Sequence, residues 1–167
     1  MTPIRAHLLR EKGAAFVTGF CLGCLQVALG FVMLRGAGAN ARSWFLLLLC
    51  WLLGALFGVR LQSAASQDRS RSSTWASRQE QVLLFGAVAV YLAAETAAAW
   101  APFSTVPLAL ALIGAAVSGA YGGCFLCSRA DKGLSIGALF FHENNGFLVG
   151  LTFATGVLLI RAPLLVP

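Results

Sequence analysis

Four consecutive polar side chains, His142, Glu143, Asn144 and Asn145, interrupt an otherwise apolar stretch that runs from Leu134 to Ile160. An ionisable pair in so hydrophobic a segment is expensive unless it faces a cavity or meets partners. Two arrangements would compensate it. In a proton, ion or quinone-like ligand site, His142 would change charge near neutral pH and Glu143 would act as an acid–base group set by its burial. Alternatively, these groups hydrogen-bond to other helices, with Glu95 and Gln26 as the available partners, and fix the packing. The residue types leave both open.

Glu95 is isolated in a second apolar stretch, one residue before Thr96 and four after Tyr91. Its carboxyl can snorkel to an interface or line a cavity, and the i, i+4 spacing puts the Tyr91 hydroxyl on the same helix face. Cys21 with Cys24 and Cys124 with Cys127 form two Cys-x-x-Cys pairs. In a soluble protein these would suggest a zinc ribbon or a redox site. Here both pairs fall in apolar helical segments, where cysteine packs as a small apolar residue, so no metal or disulfide chemistry is expected. No Cys-x-x-Cys-His follows, and His7 is the second of only two histidines, so haem is not expected either. The chain also lacks a Walker-type loop, a Gly-rich dinucleotide turn, a serine nucleophile elbow and His-Glu-x-x-His. The expectation is a protein with no cofactor that is not an enzyme.

The elements that must position these groups follow from composition. Of 167 residues, 59% are apolar and 11% charged, with a mean hydropathy of +0.81. A soluble domain would have about a quarter of its residues charged. The apolar residues come in five blocks, approximately 13–34, 43–59, 82–100, 106–127 and 134–160. The first has 22 residues, enough to cross a bilayer, which takes about 20. Arg5, Arg10 and Lys12 before it and Ala39-Asn40-Ala41 after it have the form of a secretion signal, but a signal core is only about 7 to 15 residues. The fold class expected is therefore all-α, a polytopic bundle of about five transmembrane helices forming one integral membrane domain.

The net charge of +6 sits between the blocks, so it reads as topology and not as a nucleic-acid surface. Arg5, Arg10, Lys12, Arg60, Arg69, Arg71, Arg78, Arg129 and Lys132 fall on one side, against Arg35, Arg42 and Arg161 on the other. Positively charged short loops stay in the cytoplasm, which places the N-terminus inside, the C-terminus outside and residues 60–81 in a solvated cytoplasmic loop. The location expected is the cell membrane, multi-pass, and the inner membrane in a Gram-negative bacterium. Trp44 and Trp100 lie at block ends, where an interfacial aromatic belt accounts for them; Trp75 lies in the loop. Gly19 with Gly23, Gly54 with Gly58, Gly119 with Gly123, and Gly146 with Gly150 recur at intervals of four. That spacing lets helix backbones approach closely, so these are packing positions in a tight bundle.

The order of these motifs carries a resemblance. Phe16-Val17-Thr18-Gly19-Phe20, Leu53-Gly54-Ala55-Leu56-Phe57-Gly58-Val59-Arg60, Gly122-Gly123-Cys124-Phe125 and Phe140 through Gly150 resemble the membrane module of the spermidine synthase-like polytopic proteins, the fused transporter and synthase type. The sequence departs from that pattern at Leu25 and Gln26, where the family has an aromatic residue followed by Glu, and at Leu126, where it has Pro. Glu143 falls where the family has Asn or Asp. The family's soluble aminopropyltransferase-like domain has no counterpart after Pro167, so polyamine synthesis by this chain alone is not expected. The resemblance implies a non-enzymatic membrane subunit that docks a separate protein partner or self-associates in the lipid bilayer. A small-solute or proton-coupled transporter subunit lined by Glu95, His142 and Glu143 is the alternative, and a quinone-site subunit of a redox complex a second one.

Overall fold

A computed structural model of the chain describes residues 3–38, 40–67, 73–102, 104–130 and 135–161. They form five α-helices: α1 (Pro3–Ala37), α2 (Ala41–Gln67), α3 (Ser73–Trp100), α4 (Thr105–Ala130) and α5 (Ile136–Arg161). Each contains a segment long and apolar enough to cross a membrane: Leu8–Ala37, Ala41–Ala65, Arg78–Trp100, Thr105–Ala130 and Ile136–Ile160. Among the described residues there is no strand, and the architecture is the all-α, five-helix one that the apolar blocks imply.

The helices outrun the blocks. Residues 60–67 and 73–81, read from composition as loop, are helical: α2 continues to Gln67 and α3 begins at Ser73. Neither segment contains Gly or Pro, and polar side chains alone do not stop a helix whose backbone bonds are all internal. Arg69 and Arg71 of that expected loop lie outside the described residues, as do Ala39, Lys132 and Leu134 and the side chains of Arg5, His7 and Trp75.

Local chemistry sets the two short connections that are described. Gly38 adopts φ +77°, the left-handed conformation that closes a helix, and its N–H donates to the Leu34 carbonyl at 3.1 Å. Two residues later Asn40 caps α2, its Oδ1 accepting from the Ser43 backbone N–H at 2.9 Å and the Ser43 hydroxyl at 3.0 Å. Before α4, the Ser104 N–H donates to the Ala101 carbonyl at 3.1 Å, and Pro107 occupies the first turn of the helix.

The chain divides into two compact units, residues 1–27 with 133–167, and residues 28–132. In the first unit α1 meets α5 backbone to backbone. A Cβ at Gly19 would strike the Glu143 carbonyl, and one at Gly23 the Phe147 carbonyl; reciprocally, Cβ atoms at Gly146 and Gly150 would strike the carbonyls of Phe16 and Phe20. Residue numbers rise together on both helices, so α1 and α5 run parallel. The Phe20 and Phe153 rings continue the seam with centroids 5.6 Å apart.

The second unit repeats the device. Cβ atoms at Gly54 and Gly58 of α2 would strike the carbonyls of Ala116 and Ala120, and those at Gly119 and Gly123 of α4 the carbonyls of Trp51 and Ala55. These helices are parallel by the same criterion. Helix α3 packs against α4, whose Ala111, Ala115, Gly119, Ala120 and Cys124 are buried. Gly30 lies against the Trp44 ring, so that tryptophan closes over a glycine as well as standing near a helix end.

Candidate functional site

The 100° rotation per helical residue distributes the polar quartet of α5 around the helix. Glu143 is 7% exposed and its backbone carbonyl rests on Gly19, within the seam. His142 is half-buried and stands edge-on to the Phe141 ring at 5.5 Å. Asn145 donates back to the Phe141 carbonyl at 2.8 Å, a bond within its own helix. Asn144 is on the exposed side. The four do not converge on one point.

The partners considered for them from sequence lie elsewhere. Gln26 is seven residues beyond Gly19 on α1, a rise of about 10 Å along the helix from the level of Glu143. Its Oε1 is buried without a hydrogen-bond partner. Glu95 belongs to the second unit, where it forms an ion pair with Arg35 of α1; the two side chains are 30% and 46% exposed. Tyr91 contacts the same carboxylate, one turn earlier on α3, as the i, i+4 spacing implies. The Arg35 guanidinium also lies 5.9 Å from the Phe31 ring centroid. Sequence counted Arg35 only as a loop charge and so missed the partner of Glu95.

A second polar group, at the α2–α3 end of the second unit, was not anticipated. Ser128 of α4 donates to Glu80 of α3 and to the Phe125 carbonyl, the latter at 3.0 Å. Arg129 lies 3.7 Å from the other Glu80 oxygen and stacks over the Phe125 ring at 5.0 Å. The Gln79 amide nitrogen is 4.0 Å from the Cys124 sulfur, and the Ser63 hydroxyl is 3.8 Å from the Cys127 sulfur. Gln62 is 5% exposed, and the Oε1 atoms of Gln62 and Gln79 are both buried without a hydrogen-bond partner. Each such oxygen costs about 1–3 kcal/mol of desolvation. The polar composition that made 60–81 look like loop hid these residues; the absence of Gly and Pro from 60–67 and 73–81 was the available signal that the helices continue.

All five cysteines are free thiols. Cys24 donates to the Gly150 carbonyl at 3.4 Å and Cys124 to the Gly58 carbonyl at 3.2 Å, so one member of each Cys-x-x-Cys pair serves a glycine seam. Among the described residues no three His, Cys, Asp or Glu side chains stand together as metal ligands.

Fold and site together define a multi-pass, all-α integral membrane protein whose helices meet through glycine seams and enclose isolated polar groups. No protein-family pattern matches the chain, and neither a curated protein nor a solved structure shows significant similarity to it.

Proposed function

We propose that this chain is a non-enzymatic membrane subunit that docks a separately encoded protein through the open side of α5, and that it resembles the membrane module of the spermidine synthase-like polytopic proteins. The observation that carries the docking role is Asn144. Its carboxamide is on the exposed side of a spanning helix, nine residues into Ile136–Arg161, which is about 12 Å along the axis. An amide facing hydrocarbon loses its hydrogen bonds to water, and a polar group on a neighbouring transmembrane helix restores them. Phe141, Leu148 and Leu151 are exposed around it and supply an apolar contact surface. The resemblance is supported by the positions of its motifs, since Gly19, Gly54, Gly58, Gly123, Gly146 and Gly150 all lie at the two seams.

Purification from native membranes in mild detergent, with the co-purifying proteins identified by mass spectrometry, tests this reading. A partner in fixed stoichiometry that is lost from the Asn144→Leu variant is the expected result. A homogeneous preparation of this chain alone, with wild type and variant behaving identically, contradicts it and turns attention to transport.

A further inference from the structure

Four of the chain's carboxylic acids lie among the described residues: Glu11, Glu80, Glu95 and Glu143. Three of them have partners. Glu95 pairs with Arg35, Glu80 meets Arg129 and Ser128, and Glu11 has an interacting group as well. The Glu143 carboxyl has no hydrogen bond or ion pair among the described residues, and the residue is 7% exposed. Glu143 lies seven residues into Ile136–Ile160 and level with Gly19, eleven residues into Leu8–Ala37. At least about 10 Å of helix therefore separates it from either end of both spanning segments. Phe16 and Gly19 of α1 form the seam beside it, and Leu139, one turn earlier on α5, is 2% exposed. The other described titratable groups of the two helices are placed elsewhere. His142 stands edge-on to Phe141, Cys24 donates to the Gly150 carbonyl and Cys21 is exposed. Arg10, Glu11 and Lys12 precede Gly19 by seven residues or more, a rise of about 10 Å at least, and Arg161 is at the far end of α5.

We propose that Glu143 is a proton-binding site, a carboxyl in the α1–α5 seam that carries its proton at neutral pH. Ionised, it would place an unpaired charge between two helix backbones, away from headgroups and from every described cation, and a buried charge without a partner neutralises. A proton is the ligand this lining suits, because it needs one acceptor. A metal or alkali ion needs several oxygen donors around it, and the neighbouring amides supply none: Asn145 bonds back to the Phe141 carbonyl and Asn144 is on the exposed side. A basic side chain from another protein would have to enter a seam that has no room for a Cβ at Gly19. Losing the proton charges the seam, so the clasp between α1 and α5 is tightest while Glu143 is neutral. The site does not rest on the docking role proposed for α5, which concerns the exposed side of that helix.

The test uses the purified full chain in phosphatidylcholine nanodiscs. Infrared difference spectra between wild type and Glu143→Gln are recorded at neutral pH and then in increasingly alkaline buffer. The expected result is the C=O stretching band of one protonated carboxyl, present in wild type, missing from Glu143→Gln, shifted in heavy water and replaced by carboxylate bands as the pH is raised. A second measurement needs only the wild-type chain and so stands even if Glu143→Gln fails to fold. Dicyclohexylcarbodiimide reacts with a protonated carboxyl by addition: the acid oxygen bonds to the central carbon, the proton passes to a nitrogen, and the acyl group then migrates to the other nitrogen to leave a stable N-acylurea. Mapped by mass spectrometry at neutral pH, the adduct should be about tenfold or more abundant at Glu143 than at Glu80 or Glu95, whose arginine partners favour the ionised form. Carboxylate bands alone in the neutral-pH difference spectrum overturn the proposal. So does an adduct no more abundant at Glu143 than at Glu95, or one that sodium chloride suppresses and choline chloride does not, since a cation would then hold the site.

Discussion

The α1–α5 seam and the α2–α4 seam are made from the same parts. Each pairs two parallel helices through Gly-x-x-x-Gly on both sides, Gly19 and Gly23 with Gly146 and Gly150, Gly119 and Gly123 with Gly54 and Gly58. In each, the cysteine after the second glycine donates to the last glycine carbonyl of the partner, Cys24 to Gly150 and Cys124 to Gly58. Lipid tails are as apolar as leucine, so helices in a membrane gain little from burying leucine against leucine; close backbone contact and thiol hydrogen bonds supply the attraction instead. What differs is the surroundings. The spanning segment of α4 is 61% buried, with α2 and α3 both packed against it, whereas that of α5 is 17% buried, the same share as α2. In the second unit the clasp holds a helix that α3 also packs against; in the first it holds α5, most of whose spanning segment is exposed.

The largest expected effect is in the core. Gly119→Leu drives a side chain into the Trp51 carbonyl on α2 from a helix that α3 also packs against, so three helices must shift. A loss of about 3 kcal/mol or more is expected, read as unfolding at lower denaturant in a detergent titration. Gly146→Leu should cost less, about 1–3 kcal/mol, because the contact it disrupts is the two-helix seam with α1. Its signature is local: cysteines placed at Phe20 and Phe153 in an otherwise cysteine-free chain should cross-link in the parent and fail to do so with Gly146→Leu. Equal destabilisation by the two glycine variants would erase the distinction between the three-helix packing around α4 and the α1–α5 seam.

Smaller effects sharpen the same contrast. Arg35 and Glu95 are 46% and 30% exposed, and a double-mutant cycle of Arg35→Gln with Glu95→Gln should give a coupling of about 0.2–1 kcal/mol. A much larger value would mean that the pair is held away from solvent and headgroups. Smallest of all, Cys24→Ala should cost about 0.5 kcal/mol, the value of one weak thiol bond. Cys124→Ala should cost more, because Cys124 is 0% exposed and the variant leaves a cavity as well as removing the thiol bond to Gly58.

How much of this was legible in the sequence depends on the kind of signal. Spanning helices are read from long apolar runs, and the glycine positions from their spacing of four. Which glycine pair meets which could not be read, because four helices carry interchangeable motifs and each admits several partners. The Tyr91–Glu95 contact follows from helical spacing within α3, but Arg35 is distant in the chain and no local pattern points to it. Gln62 and Glu80 were hidden for a different reason: hydropathy marks where the apolar block ends, whereas the helix ends only where Gly, Pro or a cap stops it. His142 and Glu143 drew attention by residue type, yet neighbours in a helix point in different directions, and the quartet is divided among the seam, its flanks and the open side.

The docking role of α5 is most directly tested by a photo-activatable cross-linker placed at Asn144 in native membranes, with Leu159 on the same helix as the control position. The account predicts a single discrete protein adduct from Asn144, containing a second polypeptide identifiable by mass spectrometry and weaker or absent from Leu159. Adducts with lipid alone, or only within this same chain, at both positions would contradict it.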